Sequence, residues 1–344
     1  MLAPESKYGS AMGPTVCEYP HSQREFAVSN GRLSDPAAAS LPRLKVGLAL
    51  SAGAARGLAH IGVIQVFEEN GIRIDAVAGC SMGAYIGALW CAGCDGAELE
   101  RLAREIEGRW GFLKLINPSC PPRRAFLRNQ TIRERLMQSI GTATFESLQK
   151  PLCVVATDLD QLNAAYFDRG EVACAVQASC AIPGILEPVQ IGRSTYTDGG
   201  ITDPLPARVL RRMGCQIVIA VDVIPPSQFQ TCVCEHEREQ ADIKKPNRAI
   251  SWLNQHLNPF GRGNLFDTLY RSLTAAQMLL AEHAGSEADF VIRPISCDAS
   301  WHEFHLPAKY ISLGRRVAGE NLGQIRSLLA RKEVRHETHM VGVA

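Results

Sequence analysis

One stretch limits what this chain can become. Residues 75–83 read Asp-Ala-Val-Ala-Gly-Cys-Ser-Met-Gly. Ala76-Val77-Ala78 is a short apolar run suited to a buried strand. It enters Gly79-Cys80-Ser81-Met82-Gly83, a Gly-x-Ser-x-Gly pentapeptide, and Ala84 to Cys91 then reads as the start of a helix packed through small residues. Strand, sharp turn and helix, with a serine at the apex, is the context a nucleophile elbow requires. The flanking glycines let the chain turn without a Cβ clash, and the following helix aims its N-terminal amides near Ser81. Three fixed positions, each matched by roughly 7% of residues, give about 0.1 chance occurrences in a chain this long. The pentapeptide therefore needs support from elsewhere; the alternative is a glycine-lined serine in a tight turn.

Composition excludes several classes. A chain of 344 residues can build one large or two medium domains. A formal charge of +1 gives no support for nucleic-acid binding or electrostatic membrane adhesion. Twelve cysteines are too scattered for a disulfide scaffold, and with no signal peptide in view they read as reduced thiols of a cytoplasmic protein. Cys232, Cys234 and His236 form a Cys-x-Cys-x-His cluster without the second ligand pair a zinc knuckle uses, so no metal site is expected. Ala76 to Cys94 carries no charge and has the length of a membrane span, but five of its residues are glycine or serine at the elbow and after it, and the strand-turn-helix reading accounts for them.

Residues 1–43 lack periodicity and are predicted to be a disordered extension. Order is expected from Leu44. Leu44 to Leu50 reads as a buried strand, Ser51 to Gly57 as a small-residue loop, Leu58 to Asn70 as an amphipathic helix closed by Asn70-Gly71, and Ile72 to Ala78 as the next strand, a βαβ unit. The amides of the Ser51–Gly57 loop could hold a phosphate or an oxyanion. No dinucleotide or P-loop fingerprint stands here, and parallel neighbours would bring this loop and the elbow to the same sheet edge. The oxyanion reading is therefore favoured. Arg56 is either a brace for the loop carbonyls or an ordinary solvated side chain. Charged helices are expected over 97–107 and 131–140, and strands over 151–158, 164–167, 194–197 and 216–223. Helices are expected over 171–179 and 207–213. After Pro225 the chain turns polar until about Asn247. Leu265, Leu269, Leu273 and Ala276 fall at helical spacing and predict a core-facing stripe, with a membrane-docking face as the alternative. A last strand is predicted at 290–292 and a terminal helix over 308–329, with the tail frayed from Ala330.

The loop with Arg56-Gly57, the elbow Gly79–Gly83 and Asp198-Gly199-Gly200 occur in that order. Together they resemble the patatin-like phospholipase family. Ala181-Ile182-Pro183-Gly184 and Gly57-Leu58-Ala59-His60-Ile61-Gly62-Val63 are similar to its bacterial members. The likeness covers about Val46 to Met213. It implies a three-layer α/β/α fold with a central, mostly parallel sheet and a helical C-terminal extension. Residues 44–213 would be the catalytic domain, and 214–344 would complete the sheet and add helices. It also implies a Ser-Asp dyad acting on acyl esters of lipids, with Ser81 as nucleophile and Asp198 as base. Gly53, Ala54, Arg56 and Gly57 would form the oxyanion hole, and Gly79, Cys80, Met82 and Gly83 the elbow. Gly199 and Gly200 would follow the base. No cofactor is implied. The partners implied are a lipid ester and transient contact with the inner face of a membrane, with no nucleic acid. Many members carry glycine where Ser51, Ala52 and Ala54 stand. If the loop needs positive φ at one of them, a Cβ there costs on the order of 1 kcal/mol.

Two other readings compete. A Ser-His-Asp hydrolase would combine Ser81 with Asp222 and His283, His302 or His305. A lipid- or protein-binding module could keep the fold without the chemistry.

Overall fold

The computed structural model describes residues 43–107, 125, 127–226, 265–296, 299 and 301–341. The N-terminal extension, the Cys232, Cys234, His236 cluster and most of the polar stretch after Pro225 lie outside them.

Strands β1 (Val46–Leu50), β2 (Ala76–Cys80), β3 (Leu152–Asp158) and β7 (Ile217–Val221) are apolar along nearly their whole length, and every residue of them is buried. That is the pattern of parallel strands covered on both faces. With β4 (Asn163–Phe167), β5 (Val189–Ile191), β6 (Ser194–Asp198) and β8 (Phe290–Ile292) they form one eight-stranded sheet. Its order is β5-β6-β3-β2-β1-β7-β8, with β4 also pairing β3. The β3–β2–β1–β7–β8 pairings are parallel, and those among β3, β4, β5 and β6 are antiparallel.

Alternation along the strands divides the core in two. Leu48, Leu50, Val77, Val154 and Ile219 face one side, with α1 (Ala59–Glu69), α2 (Met82–Ala92), α5 (Val172–Ser179) and α8 (Pro307–Val341) over them. Ala49, Ala78, Cys80, Cys153 and Val218 face the other, under α6 (Ala207–Arg212) and α7 (Leu265–Gly285). The result is an α/β fold in three layers. Helix α3 (Gly96–Arg104) and helix α4 (Gln130–Ile140) join the first layer through Leu99 and Leu136.

The predicted cap at Asn70-Gly71 is a Schellman motif. Gly71 has φ +64°, its amide donates to the Glu68 carbonyl, and the Ile72 amide donates to that of Phe67. Three expectations need correction. The predicted stripe on α7 does not face the core: Leu269 is 54% exposed and Ala276 is exposed, while Met278 and Ala281 are buried. The helix meets the sheet only through its later turns. Helix α8 runs on to Val341 rather than fraying at Ala330. Among the cysteines, Cys80, Cys91, Cys94, Cys153, Cys180 and Cys215 are free thiols, but Cys174 is disulfide-bonded.

Candidate active site

Strand β3 gives one edge to two neighbours. Its first residues, Leu152–Val155, pair with β2, and Ala156–Asp158 pair with β6, both on the edge opposite β4. The end of β2 therefore abuts the end of β6. Ser81 follows Cys80 at one end and Asp198 closes the other. The Ser81 Oγ hydroxyl donates to Asp198 Oδ2 at 2.7 Å, although 117 residues separate the two.

Ser81 has φ +52° and ψ −120°, a conformation that L residues adopt only under constraint. Its amide donates to Ser179 Oγ at 2.8 Å, and that hydroxyl donates to the Val155 carbonyl at 2.5 Å. Ser179, on α5, thus pins the elbow to β3. A Cβ on Gly83 would meet the Leu50 carbonyl, and one on Gly79 would lie 2.7 Å from the Ala84 backbone. Close backbone approach is the reason for glycine at both ends of the pentapeptide.

Asp198 is fixed from three sides. Its Oδ1 accepts the Gly200 amide at 2.7 Å, its carbonyl accepts Thr157 Oγ1 at 2.9 Å, and its amide donates to the Ala181 carbonyl. The side chain is 4% exposed. Burial pushes its pKa up from 3.8 to about 6, against the Ser81 hydroxyl and the Gly200 amide, which hold it down.

The loop before α1 comes to the same place. The Ser51 amide donates to Val221, Ala52 to Pro204, Ala55 to Trp301 and Arg56 to Gly53. Among the described residues, the amides of Gly53 and Ala54 have no acceptor. Of the four residues expected in this group, these two leave donors open. Arg56 instead reaches the Gly53 carbonyl with Nε at 3.5 Å, and Gly57 makes room for Met82, whose Cβ would lie 2.6 Å from a Cβ there. Ala54 has φ +50°, so the strain anticipated for this loop falls on it and not on Ser51 or Ala52. His60 and Val223, neither of which the sequence singled out for the site, hold the loop from behind. His60 Nε2 bonds the Ser51 carbonyl at 2.9 Å, and Ser51 Oγ accepts the Val223 amide at 2.9 Å. Burial holds His60 down at about 4 despite that bond, so the ring is neutral. His60 lies in the Gly57–Val63 run, where its spacing alone gave no sign of this contact.

Ser81 and Ala54 open into a cavity of about 220 Å³. Leu58 and Ile61 of the α1 region, Met82 and Leu89 of α2, Leu99 and Ile106, and Trp301 and Phe304 line it, with Arg128, Thr131 and Arg135 among the few polar groups. A more open cleft of about 420 Å³, bordered by Gly93, Asp95, Glu98 and Ser147, shares no residue with it.

Two residues of the Ser-His-Asp alternative, Asp222 and His302, are engaged elsewhere. Asp222 accepts the Ile224 amide at 3.0 Å and faces Arg293 at 3.5 Å. The His302 ring packs edge-on against Trp301. Among the described residues, no histidine hydrogen-bonds to Ser81.

The sequence model of patatin-like phospholipases matches residues 48–211. Across this stretch, just under half of its length, the chain is similar to the patatin-like phospholipase family. An uncharacterised NTE family protein of Mycobacterium bovis is 35% identical over 237 residues, which are 69% of this chain and 60% of that protein. A lysophospholipase of Emericella nidulans is 32% identical over 183 residues, 52% of this chain and 12% of its own length. The chain thus spans less than two thirds of either relative. Among solved structures, VipD from Legionella pneumophila has a TM-score of 0.41 at 14% identity, covering 85% of this chain and 68% of that one, a likeness too loose to bear on the site. The patatin-like segment supplies Ser81, Asp198, Gly53 and Ala54, whereas Val223, Trp301 and Phe304, which support the loop and wall the cavity, lie beyond it.

Proposed function

We propose that this protein is a serine acyl hydrolase that cleaves carboxylic esters of lipids through Ser81 and Asp198. The observation that carries this reading is the 2.7 Å bond between the Ser81 hydroxyl and a buried carboxylate, at the end of an apolar cavity and beside two open amides. A carboxylate at its ordinary pKa is a weak base for a serine hydroxyl. Raised to about 6, Asp198 is still ionised at neutral pH and holds a proton better. Ser81 Oγ attacks the ester carbonyl while its proton passes to Asp198 Oδ2. The oxyanion that forms is met by the Gly53 and Ala54 amides. The tetrahedral adduct collapses, the C–O bond to the alcohol breaks, and Asp198 returns the proton to the departing alkoxide. A water then gives a proton to Asp198 and attacks the acyl-serine, which releases the fatty acid and regenerates Ser81. The fungal relative's name, lysophospholipase, agrees with such an ester.

Lipid substrates imply transient contact with a membrane, which we assign to the cytoplasmic side. No described helix is long and apolar enough to cross one. Flotation with liposomes tests this; failure to float with any lipid composition removes it.

The chemistry is tested by hydrolysis of a short-chain p-nitrophenyl ester in the presence of EDTA. Ser81→Ala is expected at background and Asp198→Asn about 10³-fold or more below wild type. Turnover that survives Ser81→Ala would sink the mechanism. Turnover that survives Asp198→Asn but not Ser81→Ala would move the base to another group. An inactive wild type, also silent on long-chain lipids, would leave a binding module.

A further inference from the structure

The Ser81 cavity is apolar except on one side. Arg128, Thr131 and Arg135 line it together. Thr131 and Arg135 stand four residues apart on one face of α4, and Arg128 lies two residues before the helix begins, beside them on the cavity lining. The same helix shows what an arginine does when a carboxylate is in reach. Arg133 holds Glu171 through Nε and Nη2 at 2.8–3.1 Å. Among the described residues, Arg128 and Arg135 have no such partner. Glu105, an acid near Tyr85 on the same wall as Arg135, is already held by Arg101 at 2.8 Å. Arg128 is exposed and Arg135 half-buried, so both guanidinium groups border the cavity toward solvent, where neither is paired with a carboxylate of the described residues. They suit a site whose occupant brings the missing negative charge.

We propose that Arg128 and Arg135 form a subsite for the phosphate of a single-chain, net-anionic phospholipid whose acyl chain fills the cavity and whose ester carbonyl meets Ser81. This rests on the esterase reading and adds a substrate class to it. The arginine fork matches paired phosphate oxygens. A cavity of about 220 Å³ is smaller than typical drug-sized sites and suits one chain rather than two. A choline head would bring its own cation against both arginines, so an anionic head such as phosphoglycerol is preferred over a zwitterionic one.

The test compares kcat/KM for monoacyl phosphatidylglycerol, monoacyl phosphatidylcholine and monoacylglycerol of equal chain length, each below its critical micelle concentration. Wild type is expected to favour the first over the third by at least about tenfold. Arg128→Gln combined with Arg135→Gln should collapse that ratio to about one, chiefly through KM, while the paired lysine variants retain part of it. Arg133→Gln, which changes the same helix away from the cavity, should leave the ratio unaltered. A ratio that stays within twofold of wild type in the double glutamine variant overturns the subsite, as does a wild-type ratio near one. If the p-nitrophenyl ester is hydrolysed through Ser81 and neither phospholipid is accepted, the subsite falls and the esterase reading stands. Turnover independent of Ser81 removes both.

Discussion

Asp198 could act as a base only while ionised, yet its surroundings favour the neutral form. Burial is the larger influence, and the Ser81 hydroxyl and Gly200 amide only partly offset it. If Asp198 is the base, kcat/KM should rise with pH as one proton leaves near pH 6 and then level off. A profile governed instead by a group well above pH 7 would contradict the assignment. The same shift has a thermodynamic consequence. The native state binds this proton up to about pH 6 and the unfolded chain only to about 3.8. Between these values the native state holds more protons, so this group's contribution to stability falls as pH rises through the window and stays lost above it. At about 1.4 kcal/mol per unit, the penalty at neutral pH is on the order of 3 kcal/mol as an upper bound. An asparagine side chain at this position would keep both hydrogen bonds, with its oxygen on the Gly200 amide and its NH₂ on Ser81, without the buried charge. Asp198→Asn should therefore melt above wild type at pH 8, with the gap closing toward pH 4. Ala54 at φ +50° is a second local conflict. Glycine there removes about 1–2 kcal/mol of strain but adds about 0.4–1 kcal/mol of unfolded-chain entropy. Ala54→Gly should shift a urea midpoint upward slightly, by up to about 1 kcal/mol, and a clear loss would mean that the Cβ is needed for packing.

At the scale of elements, α8 lies so close to α1 that only glycine fits at the crossing. A Cβ on Gly314 would strike the Ala59 carbonyl, and one on Gly62 would meet Arg315 N at 2.5 Å. Alanine in place of glycine inside a helix ordinarily stabilises by about 1 kcal/mol. At Gly314 the sign should reverse, because the helices must separate, and overpacking of this kind costs about 1–3 kcal/mol. Gly319, exposed on the same helix with nothing within 4 Å, should show the ordinary gain on Gly319→Ala. Urea unfolding of the two variants checks the contrast; equal and positive shifts would show that the crossing is loose. Such pairs mark the limit of sequence reading for elements. Periodicity and caps located α1, β1, β3 and the elbow, because their signals are local. The three-residue strand β5 escaped, whereas β8 of equal length was found, because Val189-Gln190-Ile191 is broken by a polar residue and Phe290-Val291-Ile292 is a continuous apolar run. The stripe on α7 misled because spacing reports which residues share a face, not which turns of that face meet the core.

At the scale of the whole molecule, the motif order made Ser81 and Asp198 legible as a pair only through family resemblance. What joins them physically is the shared edge of β3, a pairing pattern that no local signal encodes. The same holds for the support that arrives after the patatin-like segment ends. Strand β7 pairs with all five residues of β1, so β1 would become a bare edge without it. Beyond residue 213 also lie the Val221 carbonyl that takes the Ser51 amide, the Val223 amide on Ser51 Oγ, the Trp301 carbonyl that takes the Ala55 amide, and the whole of α8 over α1. A chain ending at 213 would keep Ser81, Asp198 and the Pro204 anchor at Ala52, but would lose most of what orients the Gly53 and Ala54 amides. We expect residues 43–213 alone to retain far-UV helical signal without a cooperative urea transition, and to have no turnover of the p-nitrophenyl ester. If that fragment unfolds cooperatively and is active, residues 214–344 do not complete the domain, and the orientation of the loop must come from His60 and Pro204 alone.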